Sequence, residues 1–154
     1  MQKRMLLLST TIVSGLSVSA MAGDPAVEPY QAWTAKDYVI EKPLGGFKGD
    51  AVKGRALAAA GNKGNCLACH QLPIVEEEFH GEIGPSLNGL ASRYSEGEIR
   101  MRVVNIQELN PYSLMPPFYK KPDELVQVAN QYQGKAELTA QEVEDVVADL
   151  TTLK

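Results

Sequence analysis

Apolar positions recur at the three-to-four-residue spacing of amphipathic helices in two stretches of this chain, residues 94–107 and 138–150. A third helix is predicted over residues 50–60, because good helix formers follow Asp50 there, and a further short helix over residues 123–132 stays open. No segment alternates apolar and polar residues as a half-buried strand would, so the pattern predicts an all-α fold. Gly54 costs the first helix about 1 kcal/mol relative to alanine, which indicates that another helix approaches closely there.

Two of these helices have a recognisable beginning. Ser95 and Glu98 stand three residues apart, as do Thr139 and Glu142, and each pair precedes an apolar stripe. This spacing is that of a capping box, in which each side chain accepts a hydrogen bond from the other residue's backbone. Asp50 is a suitable N-cap for the first helix.

The first 22 residues have the pattern of a secretory signal peptide. A basic start precedes about a dozen mostly apolar residues, and Ala-Met-Ala at 20–22 predicts cleavage before Gly23. The apolar stretch is short for a membrane span, and an uncleaved N-terminal anchor is the alternative. Export predicts a periplasmic location, and no later apolar run is long enough to cross a membrane.

Two further regions make up the rest of the chain. Residues 23–47 contain three prolines, a Gly-Gly pair and several aromatic residues, which predict an irregular N-terminal extension. We expect it to cover part of the domain surface, with a partner interface as the alternative. Residues 48–154 have the size of one domain. The formal net charge of −4 argues against nucleic-acid binding and favours partners with basic patches.

The sequence C-x-x-C-H at Cys66, Cys69 and His70 indicates covalent attachment of haem. Each thiol forms a thioether with one vinyl group of the porphyrin, and the histidine faces the iron. A zinc site would need a second pair of ligands, and the chain has no further cysteine. A thioredoxin-like pair would need a βαβ pattern, and a disulfide would leave His70 without a role. The sequence therefore predicts one covalent haem c.

An electron-carrying haem iron needs a second axial ligand from elsewhere in the chain, and the candidates are His80, Met101 and Met115. Met101 lies inside a predicted helix, and His80 lies only ten residues after His70 in an acidic loop. Met115 precedes two prolines that stiffen its loop. We predict Met115 as the ligand, with a plain core role as the alternative. Ligation by Met and His raises the reduction potential.

The order of these features resembles class I cytochromes c over most of residues 48–154. Gly-Pro-x-Leu after the haem motif belongs to this resemblance. It implies that the Pro85 carbonyl accepts the ring N–H of His70, and that Arg93 lies near a haem propionate, a solvent-facing Arg93 being the alternative. Asp149 departs from the family, which often has an aromatic residue where the first and last helices cross.

Several separated blocks resemble a narrower family, SoxX, the small cytochromes of the bacterial thiosulfate-oxidising (Sox) system. The blocks include residues 64–70, 84–87 and 115–118. The resemblance implies a heterodimer with a SoxA-type cytochrome c that couples thiosulfate to a cysteine of the SoxYZ carrier, an L-cysteine S-thiosulfotransferase. Electrons would pass to a soluble cytochrome. Because both cysteines serve haem, we expect no catalytic residue on this chain and the bond-making residues on the partner.

Two other kinds of haem protein compete with this interpretation. A free-standing periplasmic electron shuttle would use the same haem chemistry, so the motif does not separate the two. A gas-binding cytochrome with an open iron position would carry its haem motif close to the C-terminus. Here more than half of the chain follows His70.

Overall fold

The computed structural model describes residues 28–126, 128–130 and 133–154. The predicted signal peptide and the first residues of the predicted extension lie outside these ranges. Within them, no helix combines the length and the apolar character that a membrane crossing requires.

The described part of the chain contains three α-helices, and the predicted all-α fold is confirmed. They are α1 (Ala51–Ala59), α2 (Glu96–Asn105) and α3 (Ala140–Leu150). Short 3₁₀ turns lie at Leu44–Gly46, Cys66–Ala68, Leu90–Ser92, Ile106–Glu108 and Pro122–Glu124. In these described ranges the only β pairing is an isolated bridge between Lys36 and Val39. The short helix left open over residues 123–132 is not an α-helix where the structure describes this range. Its first two residues belong to the 3₁₀ turn Pro122–Glu124.

Both predicted capping boxes are present. The Ser95 hydroxyl accepts a hydrogen bond from the backbone of Glu98, whose carboxylate accepts one from the backbone of Ser95. Thr139 and Glu142 repeat this exchange at the start of α3. The Asp50 carboxylate caps α1 by accepting from two N–H groups of its first turn. Local hydrogen bonds therefore fix where each helix begins.

Helices α1 and α3 cross at direct backbone contact, as the glycine inside the first helix predicted. A Cβ placed on Gly54 would lie 1.9 Å from the carbonyl oxygen of Asp145. A Cβ on Gly49, just before α1, would lie 2.1 Å from the carbonyl oxygen of Glu144. No side chain larger than hydrogen fits at either position. Asp149 also lies on α3 and is 7% exposed, so its carboxylate is enclosed near this crossing.

The core lies between these helices and the loops around them. The apolar stripe predicted for α3 is buried, and its members are Val143, Val146, Val147 and Leu150. Helix α2 contributes Ile99, Met101, Val103 and Val104.

The extension packs on α2 and α3 and is part of the same core. Ile40 and Leu44 are almost completely buried. The Ile40 carbonyl oxygen accepts a hydrogen bond from Arg100 Nη1 at 2.9 Å, and the Leu44 N–H donates to Glu144 Oε1 at 2.8 Å. The extension is thus bonded to side chains of both helices.

Candidate haem site

The C-x-x-C-H segment forms a tight turn after α1. The backbone N–H groups of Cys69 and His70 both donate to the carbonyl oxygen of Cys66, at 3.1 and 2.9 Å. Leu67 points into the core and is 6% exposed. Both cysteines are free thiols and half-buried. The turn therefore holds the two thiols and the imidazole close together on one short piece of backbone.

Burial raises the pKa of the Cys66 thiol to about 11, and the charges of Asp149 and Glu137 add to the effect. This thiol is protonated at neutral pH. A reactive cysteine needs the opposite environment, because the thiolate is the nucleophile. Cys66 is therefore not activated for nucleophilic catalysis by its surroundings.

The imidazole of His70 is oriented by the segment Gly84–Pro85. His70 Nδ1 lies 2.7 Å from the carbonyl oxygen of Pro85, which can only accept a hydrogen bond. In the neutral ring Nδ1 therefore carries the proton, and Nε2 keeps a free lone pair. A Cβ on Gly84 would lie 2.3 Å from His70 Cε1, so only glycine allows the ring to lie against this backbone.

His80 stabilises the loop that connects His70 to Pro85. Its Nδ1 accepts from the Leu72 N–H, and its Nε2–H donates to the Ile74 carbonyl oxygen, both at 3.2 Å. Both ring nitrogens of His80 are therefore engaged in hydrogen bonds within this loop. A further bond from the Gly84 N–H to the Cys69 carbonyl oxygen, at 2.7 Å, closes the loop beside the haem motif.

Arg93 is exposed and lies at the end of the turn Leu90–Ser92. Its Nη2 donates to the carbonyl oxygen of Ser86 at 3.0 Å, next to Pro85. The side chain therefore lies along the segment that orients His70. Contact with a haem propionate stays a prediction.

Met115 is half-buried in the loop between α2 and α3 and packs against the core. Its backbone N–H donates to Ser113 Oγ at 3.2 Å. The role of Met115 as a ligand of the haem iron stays a prediction. Met101 is 1% exposed on α2, as expected for a core residue.

The residues present fit a covalently bound haem. Two free thiols, one imidazole with an available Nε2 and one thioether form the donor set that a c-type haem requires. Large apolar side chains are exposed in the loop after His70 and in the loop that contains Met115, namely Phe79, Ile83, Tyr112 and Leu114. Exposed apolar surface of this kind indicates a hydrophobic binding partner or ligand. Among the described residues, no cluster of three or more His, Cys, Asp or Glu side chains offers a separate metal site.

Two contributors to this site have roles that the sequence does not predict. Gly84 belongs to Gly-Pro-x-Leu, but its role depends on how closely the His70 ring lies against its backbone. His80 is a candidate ligand by residue type, and in the structure its ring hydrogen-bonds within a loop. The nearest sequence signal for Gly84 is its position directly before Pro85.

Comparison with known proteins agrees with this geometry. A family profile for cytochrome c matches residues 51–154, and the chain belongs to the cytochrome c family. Members of this family carry covalently bound haem c, and Cys66 and Cys69 fit the attachment motif. A cytochrome c-553-like protein of Synechocystis sp. is 37% identical over 84 residues, which are 54% of this chain and 68% of that protein.

The structure of SoxXA from P. pantotrophus contains a more extensive match. One of its chains aligns with a TM-score of 0.69 and 35% identity, covering 79% of this chain and 94% of that one. The resemblance to Sox cytochromes predicted from the sequence is confirmed by this match.

Proposed function

We propose that the chain is the single-haem electron-transfer subunit of a periplasmic SoxXA-type complex that oxidatively couples thiosulfate to a cysteine of the SoxYZ carrier. The observation that carries this proposal is the match to SoxXA, because the chain covers nearly all of the matched subunit. A free-standing electron shuttle is the alternative, since the same site would serve it.

Cys66 and Cys69 would hold the haem through thioethers, with His70 Nε2 and the Met115 sulfur as axial ligands. When bound, the haem supplies an iron centre that accepts and releases single electrons. The Pro85 carbonyl oxygen fixes the proton on His70 Nδ1 and makes the imidazole a stronger donor. The backbone of Gly84 holds the plane of the ring. These contacts keep the ligand still, which favours fast electron exchange.

The sulfur chemistry is assigned to the partner subunit. Both cysteines of this chain are used for haem attachment, so no thiol remains to form a bond to sulfur. The acidic chain would accept electrons from a SoxA-type partner and pass them to a soluble cytochrome.

The test is a mild pull-down of the tagged mature protein from the periplasm of cells grown on thiosulfate, followed by a haem-stained gel. We expect a second haem-bearing band in stoichiometric amount, and thiosulfate-dependent loading of the SoxYZ cysteine by the isolated pair. A single small haem band, with no such loading on adding back a SoxA-type subunit, would favour the free shuttle.

A further inference from the structure

The segment that follows Met115 contacts the N-terminal extension through a ring stack and a hydrogen bond. The rings of Tyr30 and Tyr119 stack with their centroids 4.8 Å apart and an interplanar angle of 12°. The backbone N–H of Gln31 donates to the Tyr119 hydroxyl at 2.6 Å. Tyr119 is 2% exposed, and burial raises the pKa of both tyrosines, so the stacked pair is neutral over the physiological range.

A stiff connection joins Tyr119 to Met115, four residues earlier. Pro116 and Pro117 lie between them, and a proline ring fixes the backbone φ angle. Phe118 is buried, and its carbonyl oxygen accepts the Leu138 N–H at 3.0 Å. Few backbone torsions between Tyr119 and Met115 rotate freely. A displacement of Tyr119 therefore also moves Met115.

The extension is itself anchored on both sides of Tyr30. Before it, Glu28 Oε1 accepts from the N–H of Ala140, the first residue of α3, at 3.1 Å. After it, Ile40 is bonded to the buried guanidinium of Arg100. We call residues 28–44 the strap. Because both its ends are bonded to helices, Tyr30 and Gln31 present a fixed surface to Tyr119.

We propose that Tyr30 and Tyr119 are positioning residues that hold the Met115 loop closed, so that the strap keeps the methionine sulfur at the iron. This inference rests on the proposed role of Met115 as axial ligand. A bond between iron and a neutral thioether is weak compared with one to imidazole. How often the loop opens therefore depends on how firmly the protein holds it. The stacked pair of Tyr30 and Tyr119 is the direct contact between the strap and the segment that ends this loop.

The experiment uses haem-loaded protein with the substitutions Tyr30→Ala, which removes the stacking, and Tyr119→Phe, which removes the hydroxyl and keeps the ring. Tyr38→Ala is the matched control, because Tyr38 lies on the same strap and is 59% exposed. Carbon monoxide binding to the reduced protein reports the open loop, and thermal unfolding reports overall stability. We expect Tyr30→Ala to increase the apparent affinity for carbon monoxide about 2- to 10-fold, the range that corresponds to one aromatic pair.

Tyr119→Phe should give a smaller increase of the same sign, and Tyr38→Ala should bind carbon monoxide like the unmodified protein. A purely structural role of the tyrosines would lower the unfolding midpoint without changing carbon monoxide binding, and that result would overturn the proposal. Met115→Ala tests the ligand role of Met115 separately from the role of the strap. If Met115→Ala binds carbon monoxide strongly and Tyr30→Ala binds it no better than the unmodified protein, only the role of the strap is rejected. If Met115→Ala still excludes carbon monoxide, both the ligand role of Met115 and the role of the strap are rejected.

Discussion

Arg100 on α2 and Glu144 on α3 form a buried ion pair that also holds the strap. The two side chains are 1% and 3% exposed, and Arg100 Nε and Nη2 each lie 2.9 Å from a carboxylate oxygen of Glu144. Burial alone would lower the pKa of Arg100, but the hydrogen bonds and charge of Glu144 outweigh it, and the pKa lies above its ordinary value. The pair also holds the strap, because Arg100 Nη1 donates to the Ile40 carbonyl oxygen and the Leu44 N–H donates to Glu144 Oε1. Arg100 Nη2 donates in addition to the Glu96 carboxylate.

Glu144→Gln should destabilise the protein by about 3 kcal/mol. Removing one charge of a buried pair costs about 3–5 kcal/mol because the other charge stays uncompensated, and the half-exposed Glu96 beside Arg100 places this case at the lower end. Urea unfolding of the haem-loaded protein measures the change. Asp123→Asn is the control, since it breaks the exposed pair with Lys121 and should leave the unfolding curve unchanged. Equal curves for both variants would contradict the importance of the buried pair.

The sequence predicted the beginnings of the helices but not this pair, for a physical reason. A capping box is a local signal, because Ser95 and Glu98 are three residues apart in any chain that forms the helix. Arg100 and Glu144 are 44 residues apart and meet only when α2 packs on α3. Both would be equally acceptable on the solvent face of an amphipathic helix, so composition and periodicity carry no sign of the pairing.

The haem site likewise contains residues that could be predicted from the sequence and residues whose roles appear only in the folded chain. Cys66, Cys69 and His70 are adjacent in sequence, so their chemistry could be predicted from spacing alone. The role of Gly84 depends on the fold of a fourteen-residue loop, which brings its backbone against the His70 ring. The stacking of Tyr30 on Tyr119 joins residues far apart in sequence and has no local signal at all.

Gly54→Ala should destabilise the protein by about 3 kcal/mol, even though alanine is the better helix former by about 1 kcal/mol. The added methyl group would lie 1.9 Å from the Asp145 carbonyl oxygen, and neither backbone can move without separating α1 from α3. Gly61→Ala is the matched control, since nothing lies within 4 Å of the added Cβ. Its free energy of unfolding should change by less than about 1 kcal/mol. Similar unfolding midpoints for the two variants would show that the helices do not cross this closely.

Gly84→Ala should alter the haem environment without preventing haem attachment. The new Cβ would lie 2.3 Å from His70 Cε1 and would push the imidazole away from the Pro85 carbonyl oxygen. Overpacking of this kind costs about 1–3 kcal/mol. We expect an unchanged signal on a haem-stained gel, because the cysteines are not displaced, together with a changed visible spectrum and a lower unfolding midpoint. A spectrum identical to that of the unmodified protein would show that this glycine does not position the ring.

Asp149→Asn should stabilise the protein at neutral pH. Burial raises the pKa of Asp149, and the charge of Arg55 opposes this without cancelling it. The folded state therefore binds a proton more readily than the unfolded state, and stability falls as the pH rises from the unfolded pKa through the folded one. The amide carries no charge to desolvate, so the variant should be the more stable one above this window and lose its advantage as the pH falls below it.

Urea unfolding of the haem-loaded Asp149→Asn variant and of the unmodified protein from pH 3 to pH 8 measures this difference. Other titrating groups are common to both proteins and cancel in the comparison. Asp123→Asn is the control, because Asp123 is exposed and its pKa is lowered, not raised, by its hydrogen bond to Lys121. This variant should show no increase in stability over the unmodified protein at neutral pH. A constant difference between Asp149→Asn and the unmodified protein across the whole range would mean that Asp149 does not titrate differently in the folded state.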